Sequence, residues 1–179
     1  MQIDLTGKTA LVTASTAGIG LAIAIGLARS GATVVVNGRK QDTVEGAIAD
    51  VVREVPGATV RGVAADVGGA EGCDAIVAAE PAVDILVNNA GIYGPRDFYE
   101  LSDEDWTRIF DVNVMSGVRL ARAYSGGHGG ERLGPRGVHL VGVRAEHAGG
   151  HDPLRLLEDR AAGGVARPRQ TAQRYRRHG

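Results

Sequence analysis

Apolar residues recur along this chain in two alternating rhythms: short continuous runs, and longer stretches at helical spacing. Lys8-Thr9-Ala10-Leu11-Val12-Thr13 is a brief run rich in strand formers, and its continuity predicts a strand buried on both faces. After a turn of small residues, Leu21, Ile23, Ala24, Ile25, Leu27 and Ala28 recur at helical spacing, and Gly31 stands where a helix end favours a left-handed residue. Thr33-Val34-Val35-Val36-Asn37 predicts a second strand. Asp42 to Val55 predicts a helix closed by Pro56-Gly57, Thr59 to Ala64 a third strand, and Gly69 to Ala79 a short helix. Asp84-Ile85-Leu86-Val87-Asn88 predicts a fourth strand. Ser102, with Asp105 three residues on as its capping-box partner, opens a longer helix through Trp106, Ile109, Phe110, Val112 and Leu120. Strands alternating with helices point to an α/β fold, a parallel sheet covered on both faces.

The first strand-to-helix turn, Ala14-Ser15-Thr16-Ala17-Gly18-Ile19-Gly20, carries the first hint of chemistry. Backbone N–H groups at the positive end of a helix form an anion site, and glycines let a pyrophosphate come close to the backbone. Glycine also serves many tight turns for backbone reasons alone, so it is the place of this turn, between a first strand and a first helix, that gives it weight.

Charge divides the chain near Tyr124. Residues 1–124 carry 10 basic and 16 acidic side chains, and residues 125–179 carry 10 basic and 5 acidic. All five histidines lie in the second part and both lysines, Lys8 and Lys40, in the first. Cys73 is the single cysteine, which excludes an internal disulfide and fits a cytoplasmic setting. The start of the chain has no basic region followed by an apolar run, and no stretch is long and apolar enough to cross a membrane.

Four motifs then give a resemblance. Thr13-Ala14-Ser15-Thr16-Ala17-Gly18-Ile19-Gly20 resembles the Thr-Gly-x-x-x-Gly-Ile-Gly cofactor loop of the short-chain dehydrogenases/reductases, with Ala14 in place of the first glycine, a mild departure of one methyl group. Asn88-Asn89-Ala90-Gly91 matches the family's Asn-Asn-Ala-Gly, Ala65-Asp66-Val67 the segment that meets adenine, and Asp111-Val112-Asn113-Val114 the helix bearing the catalytic asparagine. The resemblance covers about residues 4–124 and implies a Rossmann-type doubly wound sheet. It implies that Ser15, Gly18, Ile19 and Gly20 hold a pyrophosphate, that Asp66 and Val67 meet the adenine, and that Asn89, Ala90 and Gly91 line the adjoining ribose. It also implies that Asn113 keeps a water in a proton relay. Each motif has a plainer reading: Asn88 and Asn89 could close a turn, Asp66 could cap a helix, and Asn113 could be an ordinary helical residue. After the second strand, Asn37-Gly38-Arg39-Lys40 lacks the carboxylate that would bind a ribose 2′-OH, while Arg39 could grip a 2′-phosphate. NADP is therefore expected over NAD, unless Arg39 and Lys40 are only solvated loop charges.

The family's reaction also needs a serine on a fifth strand, and a tyrosine with a lysine four residues later. No lysine follows Lys40 here, Ser125 is the only serine after Tyr124, and Tyr175 is followed four residues later by Gly179. Residues 125–179 are rich in Gly and Arg, contain no Phe, Ile, Met, Asn, Trp or Cys, and show almost no periodicity, so a disordered tail is expected.

The tail also resembles a gene read out of frame. Residues whose codons begin, or for Ser usually begin, with A or T number 36 in 1–124 but 3 in 125–179, as expected of a GC-rich gene shifted by one base. Back-translated with chosen degenerate bases and read one base along, Pro135 to Val143 gives Arg-Val-Val-Phe-Ile-Ser-Ser-Glu. His151 to Arg160 gives Met-Ile-His-Tyr-Gly-Phe-Ser-Lys-Thr. A frameshift near Ser125 to Gly127 is expected, from a sequencing error, a gene-model error or a true pseudogene. The ten arginines lack the aromatic interleaving of a nucleic-acid binder, and the histidine spacing fits no common metal pattern.

The expectation for residues 1–124 is a dinucleotide-binding portion, truncated after about four strands, of an oxidoreductase moving hydride between NADP and a carbonyl or alcohol. As written the chain is expected to be inactive and poorly stable, its fourth strand left as a bare apolar edge. The competing reading is a non-catalytic NADP-binding remnant or sensor. No membrane or nucleic-acid partner is expected, and a homo-oligomer is expected only of the intact family protein.

Overall fold

The computed structural model describes residues 3–93, 98–125 and 139–142. One compact unit holds all of these except Phe98–Glu100, a single 3-10 turn that belongs to a second unit.

The alternating apolar runs become a parallel sheet of order β3-β2-β1-β4-β5, with β1 Thr9–Val12, β2 Thr33–Gly38, β3 Val60–Ala64, β4 Ile85–Asn88 and β5 His139–Gly142. The helices are α1 Gly18–Arg29, α2 Gln41–Glu54, α3 Ala70–Ala79, α4 Asp103–Phe110 and α5 Ser116–Tyr124. Successive strand residues serve opposite faces, which is why the runs had to be continuous. Ala10, Val12, Val34, Val36 and Val87 pack with Ala24 and Ala28 of α1 and Val44 and Val51 of α2. Leu11, Val35 and Leu86 pack with Cys73 and Ile76 of α3 and Leu120 of α5. Burying each of the larger side chains is worth about 1.5–3 kcal/mol.

Three punctuation marks act as the sequence predicts. Gly31 and Gly57, just past α1 and α2, take φ of 88° and 87°. Ser102 and Asp105 form a reciprocal capping box at the start of α4.

Two expectations change. The sheet gains a fifth strand: β5 runs beside β4 with Leu86 opposite Leu140 and Asn88 opposite Gly142. The edge of β4 expected to be bare is thus paired, its main-chain groups finding partners in a short run that shows no strand rhythm of its own. The helix expected from Ser102 onward does not run as one α-helix, because Asp111–Met115 forms a π turn between α4 and α5. The Ser116 N–H reaches back to the Asp111 carbonyl, and the Ser116 hydroxyl donates to the Val112 carbonyl at 2.6 Å, so the acceptor displaced by the wider turn keeps a partner. Of residues 125–179, only Ser125 and β5 are described. The stretch 151–160, Tyr175 and the rest of the tail lie outside the described residues.

Candidate functional site

The strand order reverses between β1 and β4, and in open α/β sheets a ligand crevice forms at the carboxyl ends of the strands at such a point. Two loops meet there, one after β1 and one after β4, and the hydroxyl of Thr13 joins them. Thr13 Oγ1 donates to the Val87 carbonyl at 3.3 Å and accepts from the N–H groups of Asn89 (3.0 Å) and Ala90 (2.9 Å). The Asn89 side-chain amide returns the tie, donating to the carbonyls of Thr13 at 3.0 Å and Ala14 at 3.1 Å. Its Nδ2 is therefore committed to the β1 loop, a tie between two loops rather than the closing of a local turn.

Ser15 faces inward. It is fully buried, its hydroxyl donating to the Val12 carbonyl at 2.7 Å and accepting from the Asn37 N–H at 3.0 Å. Asn37 is the site residue the sequence reading overlooked. Its Oδ1 accepts from the Ala14 N–H at 3.2 Å, and its Nδ2 donates to the carbonyls of Val63 and Ala65, each at 3.1 Å. One buried amide thus clips the loop to the ends of β2 and β3. The signal was available: a polar residue closing an otherwise apolar strand needs partners if it is buried.

Ala14 is more than a mild departure. It sits at φ 49°, the described non-glycine residue with a positive φ, so its Cβ costs roughly 1–2 kcal/mol. Glycine loses more unfolded-state entropy, which offsets part of the relief. Ala14→Gly should therefore raise stability by about 0.5–1 kcal/mol in urea unfolding; an unchanged or lower midpoint would show that the residue is not strained.

Beyond Ala14 the loop opens into α1. Its N-cap, Ala17, offers no side-chain acceptor and its first turn holds no acid, so the free N–H groups of that turn face outward without a built-in counterion. Gly18 takes φ 55° with open space where a Cβ would stand, whereas Gly20 is packed, its missing Cβ lying 2.5 Å from both the Ala14 carbonyl oxygen and Asn89 Nδ2. Ile19, 54% exposed, presents an apolar side chain beside them. Glycine is thus needed at 18 for conformation and at 20 for space.

Arg39 lies exposed just past β2. It follows Gly38, where a Cβ would overlap the Thr16 methyl group. Asp66 is exposed after β3, and its Oδ1 accepts from the Gly68 N–H at 3.0 Å, a local turn; it does not cap α3, whose N-cap is Gly69. Val67 is 6% exposed, with its side chain among the α3 core residues, so it can offer a ligand only main-chain atoms. Asp66 and Gly68 line a cleft of about 400 Å³ with α4 and Val112. Gly91 would carry a Cβ at ordinary contact distance from Asn113, so its lack of a side chain leaves room rather than relieving a clash.

Asn113 sits in the π turn and grips the loop after β4 at two points. Its Oδ1 accepts from the Ile92 N–H at 2.8 Å, and its Nδ2 donates to the Ile92 carbonyl at 3.0 Å. Asn113 is therefore not an idle helical residue; it orients the segment that continues Asn89–Gly91. Tyr124, the last residue of α5, is no substitute for a catalytic tyrosine. Its hydroxyl donates to the Glu80 carbonyl at 2.9 Å, and burial, reinforced by Glu80, pushes its pKa well above the ordinary tyrosine value.

Comparison with known proteins agrees with this geometry. The model of the short chain dehydrogenase family matches residues 8–127. An uncharacterized oxidoreductase of Bacillus subtilis, YvaG, is 48% identical over 124 residues, spanning 69% of this chain and 47% of the relative. L-sorbose reductase of Gluconobacter frateurii, in complex with NADPH and L-sorbose, superposes with a TM-score of 0.65 at 39% identity over 71% of this chain and 49% of that one. A 3-oxoacyl (acyl-carrier-protein) reductase of Agrobacterium tumefaciens with NADP bound gives 0.61 at 36% identity, covering 67% and 47%. The chain spans about half the length of the curated relatives it matches. No helix among the described residues is long and apolar enough to cross a membrane. A family model matched over most of the chain, and a sheet whose two stitched loops open a helix N-terminus at the switch point, lead to one conclusion: this chain belongs to the short chain dehydrogenase family.

Proposed function

We propose that residues 1–124 are the nucleotide-binding portion of an NADP-dependent oxidoreductase that moves hydride between NADP and a small carbonyl or alcohol substrate. The observation that carries this reading is the uncapped, acid-free N-terminus of α1 behind a glycine cradle, with Arg39 exposed past the neighbouring strand. The N–H groups of Gly18, Ile19 and Gly20 would hold the pyrophosphate, with Ser15 and Asn37 keeping the loop in shape. Arg39 would bind a 2′-phosphate, Asp66 and the Val67 main chain would border the adenine, and Ala90 and Gly91 the adjoining ribose. When bound, the nicotinamide supplies the redox step. Asn113 would orient the segment through Ile92 to Gly91 beside it.

Arg39→Ala should weaken NADP binding about 10–100-fold, the worth of a charge-assisted pair, and leave NAD nearly unchanged. Equal loss for both nucleotides in a calorimetric titration would remove Arg39 as the discriminating residue.

We further propose that residues 125–179 are the family sequence shifted by one base, so that the chain as written binds nucleotide without turnover. Supporting this, β5 falls inside the stretch 135–143 whose shifted reading is Arg-Val-Val-Phe-Ile-Ser-Ser-Glu. Resequencing the codons for Tyr124 to Gly130 tests it. A gained or lost base, followed by dehydrogenase activity of the corrected protein, supports the oxidoreductase. An unchanged gene whose product binds NADP tightly without turnover favours the sensor or remnant.

A further inference from the structure

The π turn sets two arms of one helical segment out of phase, and three side chains brace it. The Ser116 N–H is taken by the Asp111 carbonyl, five residues back, rather than by that of Val112, four back. The Val112 carbonyl is met instead by the Ser116 hydroxyl at 2.6 Å. In an ordinary helix such a hydroxyl shares its carbonyl with a backbone N–H; here it stands in for the N–H. Arg119 bridges the turn from α5, donating to Asp111 Oδ1 at 2.9 Å. Asn113, inside the turn, meets the Ile92 N–H and carbonyl with the two ends of one amide.

The arm after the turn is fixed against the sheet. Ser116 is 4% exposed and Leu120 is fully buried, and a Cβ on Gly117 would stand 3.2 Å from Asn88 Nδ2 at the end of β4. Closing the π turn into a regular α-helix would therefore pass one residue's rotation, about 100°, to the arm before it. Asn113 lies between the arms, so it would turn away from the main-chain pair it now holds. An open turn leaves over one acceptor, the Val112 carbonyl, and that is the group Ser116 takes.

We infer that Ser116 is a positioning residue for the candidate site: its hydroxyl keeps the π turn open, and through the turn it holds Asn113 on Ile92 and steadies the segment Asn89–Gly91. The consequence for nucleotide binding rests on the reading of that segment as the border of the ribose. A plain helix hydroxyl, satisfied by the nearest carbonyl, predicts no link between Ser116 and Asn113.

The test reads Asn113 directly by amide exchange in the isotope-labelled full chain. The chain has four asparagines, and Asn113→Ala identifies the side-chain amide signal that belongs to residue 113. In Ser116→Ala that amide should exchange with solvent about tenfold faster or more, while Ser116→Thr, whose hydroxyl can reach the same carbonyl, should keep the parent rate. Calorimetric titration with NADP adds a double-mutant cycle. Asn113→Ala and Ser116→Ala should each weaken binding about tenfold, and the double variant no more than either, because both break one connection. A parent that fails to bind NADP overturns the nucleotide-binding reading and leaves the exchange rates to decide the role of Ser116. An Asn113 amide unmoved by Ser116→Ala, equal acceleration in Ser116→Thr, or a loss of about a hundredfold in the double variant overturns the inference.

Discussion

Gly20→Ala should both loosen the fold by about 2–3 kcal/mol and weaken NADP binding by at least tenfold, whereas Gly18→Ala should cost about 1–2 kcal/mol of stability for a comparable loss of binding. The difference follows from what a methyl group would meet. At Gly20 it would lie 2.5 Å from the Ala14 carbonyl oxygen, 2.5 Å from Asn89 Nδ2 and 2.9 Å from Ser15 Cα. None of these can step aside. Ser15 is locked by its hydroxyl and N–H to Val12 and Asn37, and Asn89 Nδ2 is held by the carbonyls of Thr13 and Ala14. The first turn of α1 must therefore move away from the β1 loop, taking with it the N–H groups that would face the phosphates. At Gly18 no atom stands within 4 Å, so the cost is conformational, from φ 55°, plus the room denied to a ligand. Urea unfolding together with NADP titration separates the two. Equal stability loss in both variants, or unaltered NADP affinity in Gly20→Ala, would mean that the packing around Gly20 is not what shapes the binding loop.

Elements that declare themselves through one-dimensional rhythm were legible in the sequence. Three strands, β1, β2 and β4, showed as continuous apolar runs because parallel strands inside a sheet are covered on both faces, whereas the edge strand β3 carries Arg61 and Gly62 within it. Gly31, Gly57 and the Ser102–Asp105 box marked helix ends through local backbone chemistry. The loop motifs at Gly18–Gly20 and Asn89–Gly91 also declared their place. The direction of individual side chains in those loops did not. Ser15 and Val67 look alike as motif positions to a reader of sequence, yet both turn inward, the Ser15 hydroxyl to Val12 and Asn37 and the Val67 side chain into the core with Cys73 and Ile76, by tertiary contacts rather than by spacing. The π turn was invisible for a related reason. The buried positions Ile109, Ser116 and Leu120 keep helical spacing across it, and only the Asn113–Ile92 clamp and the Ser116 hydroxyl show why the turn is stable. β5 escaped because Leu140 and Val141 form too short a run to carry a rhythm; the open edge of β4 supplies what its sequence lacks.

The largest single loss of stability is expected at Asn37, a residue no motif marks. Asn37→Ala removes the acceptor for the Ala14 N–H and the donor to the Val63 and Ala65 carbonyls, leaving three backbone groups short of a partner where the residue itself is 1% exposed. An unmet buried group costs about 1–3 kcal/mol, so a total near 3–5 kcal/mol is expected once some water enters, a large part of the stability of a domain this size. Asn37→Asp distinguishes hydrogen bonding from mere loss of volume, because it keeps the shape and the Oδ1 acceptor but turns the Nδ2 donor into a second acceptor facing two carbonyls. Burial against those carbonyls should raise the pKa of the introduced carboxyl above the ordinary aspartate value of about 3.9. A folded-state pKa raised in this way means that the native protein binds the proton more tightly than the unfolded chain does. The Asn37→Asp variant should then be least destabilised, relative to the parent, below about pH 4, and lose ground steadily as the pH rises through the raised value. Urea unfolding of parent and variant between about pH 4 and 8 measures the gap directly. A gap that stays constant with pH would mean that the side-chain donor of Asn37 does not hold the loop to β3, and the clip between the candidate site and its sheet would have to lie in Ser15 alone.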